Sequence, residues 1–314
     1  MEEETNNNVK ENQGQKFAHG INPHTAAFLA LAVVFILYQF GGAILTLLIF
    51  GLEFEKADVN SVRLLTMGGQ ILFILLPALI FAKFVYTDVT SSLRVRIPSL
   101  KEIIVFIGGL ILLTPLLQSF LYIQNFLFKK LADSSPLVNS IRKLIDEIDK
   151  MVQSAYGSLL QSDSIFEASF IVFVVAVIPA LCEETFFRGF VQRSFEHRFK
   201  PLWSIILTAV FFGIYHFNPY GLIALIALGV YFGYAAYLSN SIFIPIILHF
   251  LNNFIAVTAF MIFGDQELIN SSVMPESHIL HHFISFALLI LLFAAFIMYV
   301  KKNYQSLKKN KDEI

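Results

Sequence analysis

Glu183, Glu184 and Arg188 fall in the run FVVAVIPALCEETFFRGFV, which is otherwise apolar enough to cross a membrane. A charged side chain at mid-bilayer costs roughly 2.5–3.5 kcal/mol on insertion scales. Charges so closely spaced mark a functional site rather than packing. Two later motifs keep the same interval of four. Phe212-Gly213-Ile214-Tyr215-His216 is F-x-x-x-H, and His249-Phe250-Leu251-Asn252-Asn253 is H-x-x-x-N. That interval places both residues of each motif on one helix face.

Within E-E-x-x-x-R, Glu184 and Arg188 are the i, i+4 pair and can neutralise each other as a salt bridge. Glu183 projects about 100° away on the helix and is left unpaired. A desolvated carboxylate without a counter-ion suits general acid and base work. Catalysis is therefore assigned to Glu183, and support of the site to Glu184, Arg188 and Phe212. Of the 8 histidines, His216 and His249 lie well inside expected spans, and the other six in tails, loops or at a helix entrance. Asn253 shares a face with His249, and together they offer two donors of the kind that stabilise an oxyanion. Gln70, Gln118 and Asn125 read as polar glue between helices. His278, His281 and His282 read as an interfacial cluster rather than a metal site.

Helices must position these groups. The chain is 56% hydrophobic and 14% charged, against about 25% charged in a soluble domain. An all-α, polytopic membrane protein follows. Runs near the ~20 residues needed to cross hydrocarbon lie at roughly 25–50, 64–87, 102–128, 165–191, 202–218, 221–238, 242–263 and 280–300, about eight transmembrane helices. Asn218-Pro219-Tyr220-Gly221 makes the fifth and sixth a hairpin, and Ser239-Asn240-Ser241 is the next tight connection. Ser164-x-x-Glu167 fits a capping box and predicts a helix start near 165. For the motifs to meet at one depth, that helix must continue past Phe190 toward Gln192.

The long polar loop 129–163 contains Leu137, Ile141, Leu144, Ile145, Ile148 and Val152 at helical spacing, with Asp146, Glu147, Asp149 and Lys150 opposite. This is an amphipathic helix for the outer interface, acting as a connector or as a lid or substrate guide. Residues 1–22 read as a disordered cytoplasmic tail without the features of a signal peptide, 23–300 as the transmembrane domain with its motif-bearing core at 165–263, and 301–314 as a basic cytoplasmic tail.

With eight spans both termini share one side. Placing them in the cytoplasm puts Lys83, Arg94, Arg96, Lys101, Arg193, Arg198, Lys200 and the cluster from Lys301 to Lys311 inside. The loop 264–278 carries Asp265, Glu267 and Glu276 and no Lys or Arg, as suits the outside. The 1 cysteine, Cys182, allows no disulfide framework and no Cys-based zinc site, and reads as a small apolar filler. The net charge of −1 gives no sign of an acidic or basic partner.

E-E-x-x-x-R, F-x-x-x-H and H-x-x-x-N in this order on successive spans resemble the CPBP intramembrane proteases, which include the CAAX prenyl endopeptidases and the bacterial Abi and bacteriocin-processing proteins. The likeness covers about 165–263. It implies endoproteolysis in or near the membrane: Glu183 and His216 activate a water, His249 and Asn253 bind the oxyanion, and Glu184 and Arg188 hold the site in shape. Its implied partners are membrane lipid and a membrane-associated protein or peptide substrate, with no nucleic acid. The protein is expected to be an integral multi-pass one, in the cell membrane if the source is bacterial.

The family is also described as metalloproteases, with metal use debated. Glu183, His216 and His249 could supply three zinc ligands with a water in the fourth place. Glu183 would then be a ligand and lost as a base, and no H-E-x-x-H is present. A metal-independent glutamate mechanism without cofactor is favoured, with a divalent metal such as zinc as the alternative. Two other functions compete: a proton-coupled transporter using the buried Glu and His, and a non-catalytic membrane regulator. The first should show repeats in matching halves, and none is evident in the sequence.

Overall fold

The computed structural model describes residues 20–51, 57–263 and 278–308, and every regular element among them is helical. Nine helices are used below: α1 Pro23–Phe50, α2 Val59–Val85, α3 Leu100–Ser134, α4 Pro136–Leu160, α5 Ile165–Glu196, α6 Pro201–Tyr215, α7 Leu222–Ser239, α8 Phe243–Phe263 and α9 Ile279–Lys308. Seven are long and apolar enough to cross a membrane. Pro201–Tyr215 is apolar but shorter. All eight expected runs are thus helices. Seven qualify as spans, and α6 ends early because its last turn gives way to the His216–Gly221 connection.

Local chemistry sets the ends. Ser99 and Glu102 close a reciprocal capping box at the start of α3. Pro begins α1, α4 and α6, where its missing N–H costs no helical bond. Asn240 ends α7 in the left-handed conformation that Asn tolerates. Gly221 N–H donates to Asn218 Oδ1 at 2.7 Å and shapes the α6–α7 turn.

Two expectations are corrected. Residues 129–134 are not loop but the last turns of α3, and Ser135 alone separates them from α4. The Ser164 box is half closed: Ser164 Oγ accepts from Glu167 N–H, but Glu167 accepts from the N–H of Asp163 and pairs with Arg63. The two carboxylate oxygens go to Arg63 and to the Asp163 N–H, and the helix still starts at Ile165 as expected. Residues 301–308 continue α9 as helix. Most of the expected N-terminal tail, most of the 264–278 loop and residues 309–314 lie outside the described residues.

Two larger apolar clusters organise the described residues, beside a small third at Leu160, Ile171 and Val257. One joins α1, α2, α5 and α6, and the other joins α3, α7, α8 and α9. At the end where α1 begins and α9 finishes, Arg94 pairs with Glu196, Arg96 with Glu102, and Tyr304 donates to Glu102. At the opposite end Arg63 gathers Glu167, Asn60 and the carbonyls of Leu159 and Gln161, fixing the end of α4 to α2 and α5. The apolar residues Leu137, Ile141, Leu144 and Ile148 of α4 are exposed, as an interfacial helix requires.

Candidate active site

α5 carries the carboxylates and is continuous to Glu196, past the point the depth argument requires. Its turns widen to i→i+5 spacing at Phe173–Val177 and Thr185–Val191. Such widened turns recur at functional sites. Pro179 has no N–H, so the carbonyl of Val175, four residues earlier, lacks its usual helical donor. Asn253 Nδ2 donates to that carbonyl at 3.1 Å.

Glu184 and Arg188 form the expected pair, 2.8 Å apart and both fully buried. The pair is larger than the sequence implied. His249 Nδ1 lies 2.8 Å from the same Glu184 Oε1, and since a carboxylate only accepts, Nδ1 donates. Arg188 Nη2 also donates to Gly229 O at 3.1 Å, and Gln192 Nε2 to Gly233 O at 3.0 Å. α7 reaches these donors because residues 229 and 233 are glycines. A Cβ on Gly233 would lie 2.7 Å from Gln192 Oε1, and one on Gly229 3.1 Å from Ala209 Cβ. Phe212 is the aromatic floor, with the guanidinium of Arg188 4.3 Å above its ring and the rings of His216 and His249 against it at 4.5 and 5.9 Å.

Glu183 faces elsewhere, as its position on the helix requires. Its Oε1 accepts from Gln70 Nε2 of α2 at 3.3 Å, and Gln70 Nε2 also reaches Tyr38 Oη of α1 at 2.9 Å. Glu183 is therefore without a cation but not without a donor, and Gln70 is part of the site rather than plain glue. Its Oε2 is buried without a hydrogen-bond partner among the described residues and stands 3.8 Å from His216 Nε2. His216 Nδ1 is 2.7 Å from Phe212 O. A carbonyl only accepts, so Nδ1 carries the proton, and in the neutral ring Nε2 presents its lone pair toward Glu183.

Glu183, His216 and Phe212 are thus together, and so are Glu184, Arg188 and His249. Glu183, His216 and His249 do not form one ligand set. Among the described residues no three His, Cys, Asp or Glu side chains could hold a metal ion, and His249 is turned to Glu184. His249 and Asn253 share a helix face but have separate partners, Glu184 and Val175. Cys182 is buried in the first apolar cluster. His278 and His281 lie 5.9 Å apart as rings.

The fold and site define a polytopic, all-α membrane protein with a buried carboxylate–histidine centre. Residues 165–255, which hold E-E-x-x-x-R, F-x-x-x-H and H-x-x-x-N, match the family model for type II CAAX prenyl endopeptidase Rce1-like. The resemblance read from the motifs holds over that segment, and the match supports a CAAX-type membrane protease kind of function. No curated protein and no solved structure matches the chain.

Sequence reading missed Tyr38, Gln39, Gly229 and Gly233. Two signals were present: glutamines at 39 and 70 inside apolar runs, and G-x-x-x-G at 229–233, a spacing that marks close helix packing.

Proposed function

We propose that this protein is an intramembrane endopeptidase that hydrolyses a peptide bond of a membrane-associated protein or peptide with a water activated by Glu183 and His216. The observation that carries the reading is the buried, unpartnered Glu183 Oε2 at 3.8 Å from His216 Nε2. That separation is too long for a hydrogen bond and short enough for one water oxygen to reach both atoms. Such a water gives one proton to each acceptor and keeps a lone pair for the scissile carbonyl carbon.

In the attack, the water oxygen bonds to the carbonyl carbon, its proton moves to Glu183, and the carbonyl π pair becomes an oxyanion. Collapse breaks the C–N bond as Glu183 returns the proton to the leaving amine. His249 Nε2 and the second amide proton of Asn253 are the candidate oxyanion donors. With Nδ1 already donating to Glu184, His249 can donate through Nε2 only as the imidazolium. Glu184 and Arg188 act through His249 and the packing of α5 on α7.

The family match favours a prenylated CAAX protein or another membrane-associated protein or peptide as the substrate class. Both termini are assigned to the cytoplasm by the Lys and Arg distribution, with lipid along the spans and under α4. The test compares protein and peptide termini from cells carrying wild type or Glu183→Gln at matched levels. Termini seen only with wild type support Glu183-dependent proteolysis and name substrates for a purified assay. Identical termini would sink the reading and favour the regulator or transporter.

A further inference from the structure

We infer that α1, which lies outside the matched segment, is a working part of the active site: Tyr38 positions Glu183 through Gln70, and Gln39 positions His216 through Tyr215. The inference rests on the proposed roles of Glu183 and His216.

The Glu183 branch is a short chain of hydrogen bonds. Gln70 is 4% exposed and its Nε2 has two protons, with Tyr38 Oη and Glu183 Oε1 as acceptors. A carboxylate cannot donate, so the amide must turn its nitrogen to Glu183. Holding Oε1 in this way leaves Oε2 toward His216. Tyr38 Oη accepts from the same amide and so fixes it.

The His216 branch grips both flanking residues. His216 caps the C-terminus of α6, where the last carbonyls have no helical donor. Gln39 Nε2 supplies one to Tyr215 O at 3.2 Å. Tyr215 Oη donates back to Leu31 O of α1. On the other side, Phe217 is in the left-handed region at φ 47, which bulky residues rarely adopt. Its ring stacks on Phe35, with centroids 5.8 Å apart and planes at 28°. Leu31, Phe35 and Gln39 recur every four residues, so one face of α1 fixes the backbone on both sides of the histidine. The widened turn Leu37–Gly41 sets Tyr38 beside that face.

Gln70, Tyr38 and Gln39 are thus positioning residues. Full-length Gln70→Leu, Tyr38→Phe and Gln39→Leu, and the double variant Tyr38→Phe/Gln70→Leu, are compared with wild type in lipid nanodiscs. The probe is an internally quenched peptide ending in a farnesylated CAAX sequence. Each single variant should lower kcat by about tenfold to 100-fold with KM within about threefold, as a misplaced group does. The double variant should be no slower than Gln70→Leu, because Tyr38 acts on Glu183 through Gln70. A purely structural role would lower the active fraction in proportion to unfolding and make the two changes additive.

A second readout needs no turnover. In ¹⁵N-histidine protein, the His216 ring signal is assigned by its loss in His216→Gln. Wild type should show the Nδ1–H form alone, and Gln39→Leu should broaden it or add the other tautomer. An unchanged His216 signal in Gln39→Leu overturns the His216 branch, and an unchanged kcat in Gln70→Leu or an additive double variant overturns the Glu183 branch. If wild type leaves the peptide uncut, the proposed proteolysis of that substrate fails, while the His216 signal still decides whether α1 holds the ring.

Discussion

The two adjacent glutamates have opposite surroundings, and their substitutions should fail in different ways. Glu184 is buried with Arg188 and His249, so Glu184→Gln or Arg188→Leu strands a charge inside the molecule. Breaking such a pair costs about 3–5 kcal/mol. Either variant should lose much of its folded yield and thermal stability, as read by size-exclusion profile and melting in nanodiscs. Glu183 has one neutral donor and an unpartnered oxygen, so Glu183→Gln leaves no charge behind. It should melt like wild type and lose about 10²–10⁴-fold in cleavage rate, the usual worth of a general base. A Glu183→Gln protein that cleaves normally would remove Glu183 from the chemistry.

Between elements, close approach decides stability. Gly109 of α3 faces α7 and α9, where an added Cβ would stand 2.1 Å from Tyr231 Oη and 2.5 Å from Phe296. Tyr231 cannot retreat freely, since its hydroxyl donates to Phe106 O at 2.5 Å. Gly109→Ala should therefore lower stability by about 1–3 kcal/mol, the usual cost of overpacking. The site lies on other residues, so the folded fraction should keep its kcat. Melting curves and active-site titration on one preparation separate the two effects. The connection between α5 and α6 adds a pH dependence. Burial, reinforced by Arg193 and Arg94 against the opposing Glu196, pushes His197 down to about 4 from its ordinary 6.5. The folded state thus holds this ring neutral where the unfolded chain binds a proton. Stability from this group is complete above pH 6.5 and is lost as pH falls toward 4. The drop in melting temperature from pH 7.5 to 5 should be smaller in His197→Gln than in wild type.

Across the whole molecule, the site is a product of both apolar clusters. Glu183, Gln70, Tyr38 and His216 come from the group built on α1, α2, α5 and α6, whereas Arg188 and Glu184 reach across to Gly229 of α7 and His249 of α8. A chain reduced to the matched segment 165–255 lacks α1 and α2. It should have no cleavage activity even where it inserts in the membrane. α4 is joined to the same assembly, since Tyr220, four residues after His216, donates to Asp146.

Much was legible in the residues themselves. Length and polarity of the apolar runs identified the helices, because the bilayer leaves so few ways to satisfy a backbone. Spacings of four named Glu184 with Arg188, and charge inside an apolar run named Glu183, because both are local properties of one helix. The amphipathic pattern of α4 was legible for the same reason. What the sequence could not decide was which groups meet across helices. His249 joins Glu184 rather than Glu183, Asn253 serves a carbonyl freed by Pro179, and Gln70 reaches the catalytic candidate instead of a neighbouring helix backbone. Those partners depend on helix rotation and on widened turns that shift the register of every later side chain. Rotation and register are set by packing in three dimensions, through glycines such as Gly229 and Gly233 that admit one helix against another.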